Sequence, residues 1–343
     1  MKRKNSIVLK KQADVLFLNE IKKNNLYKSF RSKTFKYINK KNFSLGVSGG
    51  TDSLCLALLS KAYSLEFKNK IHVFIVDHKL RYNSSKEAHK VKNILKEKGI
   101  SSRILTWKGN IPKKNIQLKA REIRYSLIAK KCNQHKIKFL VTAHHQDDQV
   151  ETFLMRLFRG SGLNGLSSMS EEFKFDKNLK IIRPFLNFNK KSLSVITKKY
   201  FDSFINDPSN TNKKFFRSRI RKYRKTFDKE GFDVKKIIKT VSNLSVAKNA
   251  LEFYKKKSVD RHVKFIKNQC VINMGLFKNE AEEIVFRSFC EAFSLFTKSY
   301  YPPRSKKIVD LIKRIKNKEF KKCTLAGCVI EKSKGLILIR KEF

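Results

Sequence analysis

The stretch Phe43-Ser44-Leu45-Gly46-Val47-Ser48-Gly49-Gly50-Thr51-Asp52-Ser53-Leu54-Cys55-Leu56-Ala57-Leu58-Leu59 constrains this chain more than any other. It reads as a short apolar strand, a tight Ser-Gly-Gly turn and a helix that begins near Asp52. Two adjacent glycines let the backbone take a positive φ and keep any Cβ away from a bound group. Asp52 and Ser53 are expected to supply the capping oxygens of the helix start. The amides of the first turn then point into the loop, where the helix dipole favours an anion. Such a strand–turn–helix is expected to cradle phosphate. It is not the GxxxxGK[ST] loop, because no Lys follows the second Gly, and it is not GxGxxG.

The surrounding pattern alternates apolar runs with amphipathic stretches. Residues 1 to 42 carry helical apolar spacing (Val15, Leu16, Leu18, Ile21, Leu26, Phe30) and predict a leading helical segment. Strands are predicted at 71–76, 103–105 and 139–143, with helices at 84–98 and 116–134 between them. Strands separated by helices predict an α/β fold with a doubly wound parallel sheet, whose ligands collect at the carboxyl ends of its strands. Glycines at 160, 162 and 165 mark a loop, and 181–205 predicts a short strand and an amphipathic helix. The polar run Asn206 to Asn212 and the basic run Lys213 to Lys225 close this part. A domain over 43–225 is expected, then a mostly helical, basic region over 226–343 that ends in a small pair of strands (TLAGCVIE and LILIRK).

A length of 343 residues leaves room for two domains, and 41% hydrophobic residues suits a folded chain. The net charge of +50 bears on partners instead. Coding bias explains Lys in place of Arg, but it explains less well why 79 bases face only 29 acids. A polyanion such as nucleic acid is the expected partner. None of the six cysteines forms a CxxC pair or a spacing typical of zinc or iron–sulfur ligation, which suggests a reducing compartment. The basic N-terminus lacks a signal-peptide core and no run approaches a membrane span, so a cytoplasmic protein without membrane contact is expected.

Thr142-Ala143-His144-His145-Gln146-Asp147-Asp148-Gln149-Val150-Glu151-Thr152 forms a second constellation, following an apolar strand and opening a helix. With the helix starting near Asp147, Asp148 and Glu151 share a face. Crowded carboxylates repel and are costly to bury, so a metal, a cationic substrate or Mg²⁺-bound nucleotide is expected beside them. An acidic helix N-terminus that merely favours the dipole accounts for Asp147 and Glu151 but leaves the paired histidines unexplained.

Ser48-Gly49-Gly50-Thr51-Asp52-Ser53 resembles the loop of the N-type ATP pyrophosphatases. Together with Val76-Asp77-His78-Lys79-Leu80-Arg81, Ala120-Arg121-Glu122-Ile123-Arg124-Tyr125, Thr142 to Thr152 and Arg159-Gly160-Ser161-Gly162-Leu163-Asn164-Gly165-Leu166, it resembles the tRNA(Ile)-lysidine synthetases over roughly residues 40 to 225. Asn206 to Arg221 resembles a further element of that family, departing from it at Ser218 and Asn206.

The resemblance implies a PP-loop enzyme. It would use ATP to adenylate the wobble cytidine of tRNA(Ile) with anticodon CAU, then join free L-lysine to that base. Ser48, Gly49, Gly50, Thr51 and Ser53 would grip the pyrophosphate, and Asp52 would hold Mg²⁺ on it. The backbone at Val76 and Asp77 would neighbour the adenine. Asp148 and Glu151 would take the amino groups of lysine, while His145 would hold ATP or accept a proton. Arg121 and Arg124 would bind a phosphate of ATP or of the tRNA, and Lys214, Arg217, Arg219 and Arg221 would follow the RNA backbone. Phe215, Phe216 and Tyr223 suit either base stacking or a helical core. A single copy and a homodimer are both compatible with the sequence. The rival readings are a tRNA 2-thiolase of the same superfamily, a GMP or NAD synthetase, and a non-catalytic basic RNA-binding protein.

Overall fold

A computed structural model describes residues 2–80, 82–110, 116–205, 216–231, 233–299, 303–317 and 319–342. Arg81, Lys214, Phe215 and the polar run from Asn206 lie outside the described residues. The chain divides into two units, Met1–Ser242 and Asn243–Phe343, the division falling inside a long helix.

In the first unit the apolar runs become a six-stranded sheet. Its strands are β1 (Phe43–Gly46), β2 (Ile71–Asp77), β3 (Ser102–Thr106), β4 (Phe139–Val141), β5 (Glu172–Lys174) and β6 (Lys180–Ile182). Their order is β3-β2-β1-β4-β6-β5, parallel except for the edge strand β5. Helices α1 (Lys2–Lys22), α2 (Asn25–Ile38), α3 (Thr51–Phe67), α4 (Ser84–Glu97) and α5 (Ile116–Gln134) alternate with the strands. The chain continues with α6 (Gln146–Leu157), α7 (Leu163–Leu166), α8 (Lys190–Tyr200), α9 (Phe216–Lys229) and α10 (Val234–His262).

Two apolar layers explain the double winding. One joins α2, α3, α4 and α8 to the sheet through Phe30, Leu45, Leu54, Leu58, Val91, Leu95 and Leu193. The other places Tyr125, Ile128, Ala129 and Cys132 of α5 against Phe74, Leu105 and Leu140. α3 is apolar all round and correspondingly enclosed. Because the strands are parallel, the loops after β1, β2, β3 and β4 share one edge, where the two constellations meet.

The second unit holds an antiparallel sheet in the order β7-β8-β11-β10-β9, from β7 (Val263–Ile266), β8 (Gln269–Asn273), β9 (Lys322–Leu325), β10 (Cys328–Ser333) and β11 (Leu336–Lys341). With it go α11 (Gly275–Asn279), α12 (Glu282–Thr297) and α13 (Ser305–Lys316). Its core is separate, built from Ile272, Leu276, Phe289, Phe293, Ile308, Ile315, Ile330 and Ile339.

The sequence predicts two terminal strands, and the structure has three. TLAGCVIE is broken by Ala326 (φ 49°) and Gly327 (φ 73°), which turn the chain between Leu325 and its partner Cys328. Two successive residues with positive φ match the right-handed twist of a two-residue hairpin. The hairpin β7–β8 lies inside the stretch expected to be mostly helical.

Candidate active site

Gly50 is the N-cap of α3, and no side chain caps that end. This corrects the capping role expected of Asp52 and Ser53. Ser53 instead ties the loop together: its Oγ accepts from the Ser48 amide (3.2 Å), lies 3.3 Å from Ser48 Oγ and donates to the Gly50 carbonyl (3.0 Å). The first amides of α3 have no acceptor within the helix and remain for an anion. Gly49 (φ 85°) is obligatory on two counts. Its φ is left-handed, and a Cβ there would fall 2.4 Å from Val91 Cγ2 and 2.8 Å from Ile205 Cγ1. Ile205 donates its amide to the Gly49 carbonyl (2.8 Å), and Thr197 Oγ1 of α8 donates to the Thr51 carbonyl (2.7 Å). The cradle is thus held from three sides before any ligand arrives.

Asp77 ends β2 with its side chain already committed. It accepts from the Lys79 amide, Ser84 Oγ and Ser85 Oγ (3.1, 2.8 and 2.7 Å). Burial opposes ionisation, but these donors and the Lys79 charge outweigh it and hold the carboxyl below its usual range. The Asp77 carboxylate is thus held within its own turn and the start of α4.

The second loop closes over the first. α6 begins at Gln146, so Asp148 sits in its first turn and accepts from the His145 amide (3.1 Å). The His145 ring is buried, with Nε2 3.5 Å from Asp52 Oδ2 and 3.5 Å from Asp148 Oδ2. One imidazole therefore links the phosphate cradle to the acid cluster. Its Nδ1 is buried without a hydrogen-bond partner. Burial lowers the affinity of His145 for a proton, yet the Asp52 bond and the Asp148, Asp52 and Asp147 charges more than compensate, so its pKa is raised. His144 goes the other way. Its Nδ1 lies 2.9 Å from Thr142 Oγ1; burial dominates, with Arg121, Arg183 and Arg217 nearby, and its pKa falls despite Asp148.

Asp148 and Glu151 share a face, as expected, and a cation already bridges them. Arg217 donates from Nη2 to Asp148 Oδ1 (2.9 Å) and from Nε to Glu151 Oε2 (2.8 Å), while Arg221 Nε donates to Glu151 Oε1 (2.7 Å). Burial raises the Asp148 pKa, but the His145 and Arg217 charges and the His145 amide override it and hold it down. Arg217 and Arg221, expected to follow the RNA backbone, face the acid cluster in this structure. α9 brings them there by packing Phe216 and Ile220 on Val150 and Leu154 of α6, so Phe216 belongs to the core. Arg219, Lys222 and Tyr223 are exposed. Arg121 lies over the Tyr125 ring at 5.0 Å, and Arg124 is exposed near His78, whose pKa drops to about 4 through burial and that charge.

Two residues escaped the sequence reading. Lys190, at the start of α8, places Nζ 3.9 Å from Asp52 Oδ2. Arg183 is buried just beyond β6, donates to the Ser170 carbonyl (2.8 Å) and lies near Arg121 and His144. A charged residue directly after a buried strand of a parallel sheet was the available signal for Arg183; Lys190 had none amid so many lysines.

The loop and the strand order define a PP-loop protein, and residues 19–224 match the family described as the PP-loop domain. Among curated proteins, the tRNA(Ile)-lysidine synthase of Wolbachia pipientis wMel is 35% identical over 311 residues, spanning 87% of this chain and 70% of that one. The tRNA(Ile)-lysidine synthase of Orientia tsutsugamushi (strain Boryong) is 33% identical over 309 residues, 88% and 69% of the two chains. Among solved structures, the U34-tRNA thiolase NcsA from Methanococcus maripaludis superposes with a TM-score of 0.52 at 19% identity, over 64% of this chain and 79% of that one, a likeness of fold alone. The chain belongs to the tRNA(Ile)-lysidine synthase family of PP-loop proteins.

Proposed function

We propose that the chain uses ATP to activate the wobble cytidine of tRNA(Ile) with anticodon CAU and joins L-lysine to it, giving lysidine, AMP and pyrophosphate. The observation that carries this reading is the pair Asp148 and Glu151, a built cation site linked through His145 to the phosphate cradle. Guanidinium groups from α9 satisfy it here, and the ammonium of lysine has the same charge and donor chemistry.

In this reading the base's carbonyl oxygen attacks the α-phosphorus of ATP and pyrophosphate leaves. An amine of lysine then attacks the activated carbon, and AMP leaves. The free amides of α3, with Ser48 and Ser53, hold the departing phosphates. Asp52, a single carboxylate at the loop mouth, suits Mg²⁺, which prefers one or two carboxylates together with substrate phosphates; bound there, the ion would neutralise charge on the leaving group. The two histidines differ in role. His145, the more basic ring, suits anionic phosphate when protonated and takes the proton of the attacking amine when neutral, whereas His144, its proton affinity lowered, stays uncharged beside the arginines. Arg121 and Arg183 supply positive charge for phosphate beside His144, and Arg124 and Arg219 belong to the surface offered to RNA.

The test is to supply ATP, labelled lysine and transcripts of the CAU-bearing isoleucine and methionine tRNAs. Label is expected in the isoleucine tRNA. Asp52→Asn is expected to abolish pyrophosphate release with tRNA affinity unchanged. Sulfur transfer, or no label in any RNA, overturns the proposal.

A further inference from the structure

The only tryptophan of the chain follows β3 directly, at the same sheet edge as the cradle. Its backbone continues the ladder, Trp107 donating its amide to the Asp77 carbonyl (2.9 Å). The indole is held in place from its own loop. Nε1 points to the Asn110 carbonyl at 3.4 Å, and the ring packs so closely on Gly109 that a Cβ there would lie 2.3 Å from Cζ2. Glycine at 109 is what lets the ring lie down on the backbone. Beside the ring is a cavity of about 320 Å³, completed by Asn110 and by Lys119, Glu122, Ile123 and Ser126 of α5. Those four residues, at i, i+3, i+4 and i+7, form one flank of the helix. Ile123 is buried as its floor, and Lys119 and Glu122 pair at its rim (2.8 Å).

A half-buried indole spends apolar surface where a loop would ordinarily be polar. Hydrophobic packing alone explains Ile123 beneath it but not a ring propped on glycine beside a cavity that no described residue fills. We propose that Trp107 is a stacking platform for an unpaired base of the RNA, next to the base that enters the active site. This rests on the function proposed above. Three arguments choose the occupant. The volume lies within the range of small-ligand sites and suits a planar heterocycle. Trp107 lies two strands from β1, roughly 10 Å across the sheet, about the length of three stacked nucleotides. Its exposed neighbours Lys108 and Lys119 are basic, as a site beside a phosphate backbone requires. Aromatic stacking takes any base, so the platform would position the RNA strand without reading its sequence.

Because Trp107 is the single tryptophan, fluorescence excited at the red edge, where the tyrosines do not absorb, reports this site alone. A CAU-loop RNA hairpin is titrated into the full chain without ATP, and ATP is titrated separately. Quenching by the hairpin and not by ATP is expected. Trp107→Ala is expected to weaken hairpin binding about five- to hundredfold, with Trp107→Phe staying within a few-fold of wild type. Quenching by ATP alone, with the loss confined to ATP affinity, would assign the ring to adenine and overturn the proposal. So would an unquenched wild-type protein that binds the hairpin. In either case lysine incorporation by the wild-type protein would leave the proposed function standing, whereas its absence would remove that function first.

Discussion

Adjacent histidines at one helix start titrate in opposite directions because each has different neighbours. His145 lies between Asp52 and Asp148, and His144 is half-buried with the charges of three arginines nearby. The sequence shows two histidines and three acids, but not which ring meets which charge, since that depends on a loop from another strand. A stability test follows from the sign of the His145 shift. Its folded-state pKa lies above the ordinary 6.5, so the fold favours the protonated ring. That contribution is complete below 6.5 and is lost as pH rises through the higher, folded value. His145→Gln is therefore expected to lower urea stability more at about pH 6 than at about pH 8.5. An equal loss at both would mean that the ring acts through packing alone.

At the scale of the element, α9 carries two kinds of arginine. The basic run was legible; its division was not, because helical phase decides which bases meet α6, and the apolar residues that set the phase, Phe216 and Ile220, are sparse. Arg217 and Arg221 face Asp148 and Glu151, whereas Arg219 and Lys222 face solvent. Removing one partner of a largely buried pair leaves an uncompensated carboxylate and costs on the order of 3 kcal/mol, less here because Arg217 is itself a third exposed. Arg217→Ala is expected to lower stability by roughly 1–3 kcal/mol, and pairing it with Glu151→Gln should recover part of that loss. Neutralising Arg219 and Lys222 should leave stability unchanged and flatten the salt dependence of tRNA binding. Equal salt slopes in the two variants would contradict this division. The hairpin β7–β8 was hidden for a related reason: α10 runs into β7 without Gly or Pro, and its turn is built on Lys267 and Asn268, with Lys267 at φ 38°.

Over the whole molecule, the charge of +50 admits two explanations that differ in what salt does. If the lysines are a solvated coat produced by coding bias, few of them meet phosphate and the affinity for RNA falls gently with salt. If they form a footprint, each neutralised phosphate releases counterions and the slopes add. Exposed bases occur in both units. The first offers Arg124, Arg219 and Lys222, while α13 of the second turns Ile308, Leu311, Ile312 and Ile315 inward and Lys306, Lys307, Lys313, Arg314 and Lys316 outward. An RNA that meets both units should therefore show a steeper slope than one reaching the first unit alone. For full-length tRNA, six to ten phosphate contacts would cost about 10³- to 10⁵-fold in affinity between about 50 and 200 mM salt. The isolated anticodon hairpin, with fewer contacts, should lose distinctly less. Parallel slopes for the two RNAs, measured by filter binding across that range, would confine recognition to the first unit and leave the charge of the second to solubility.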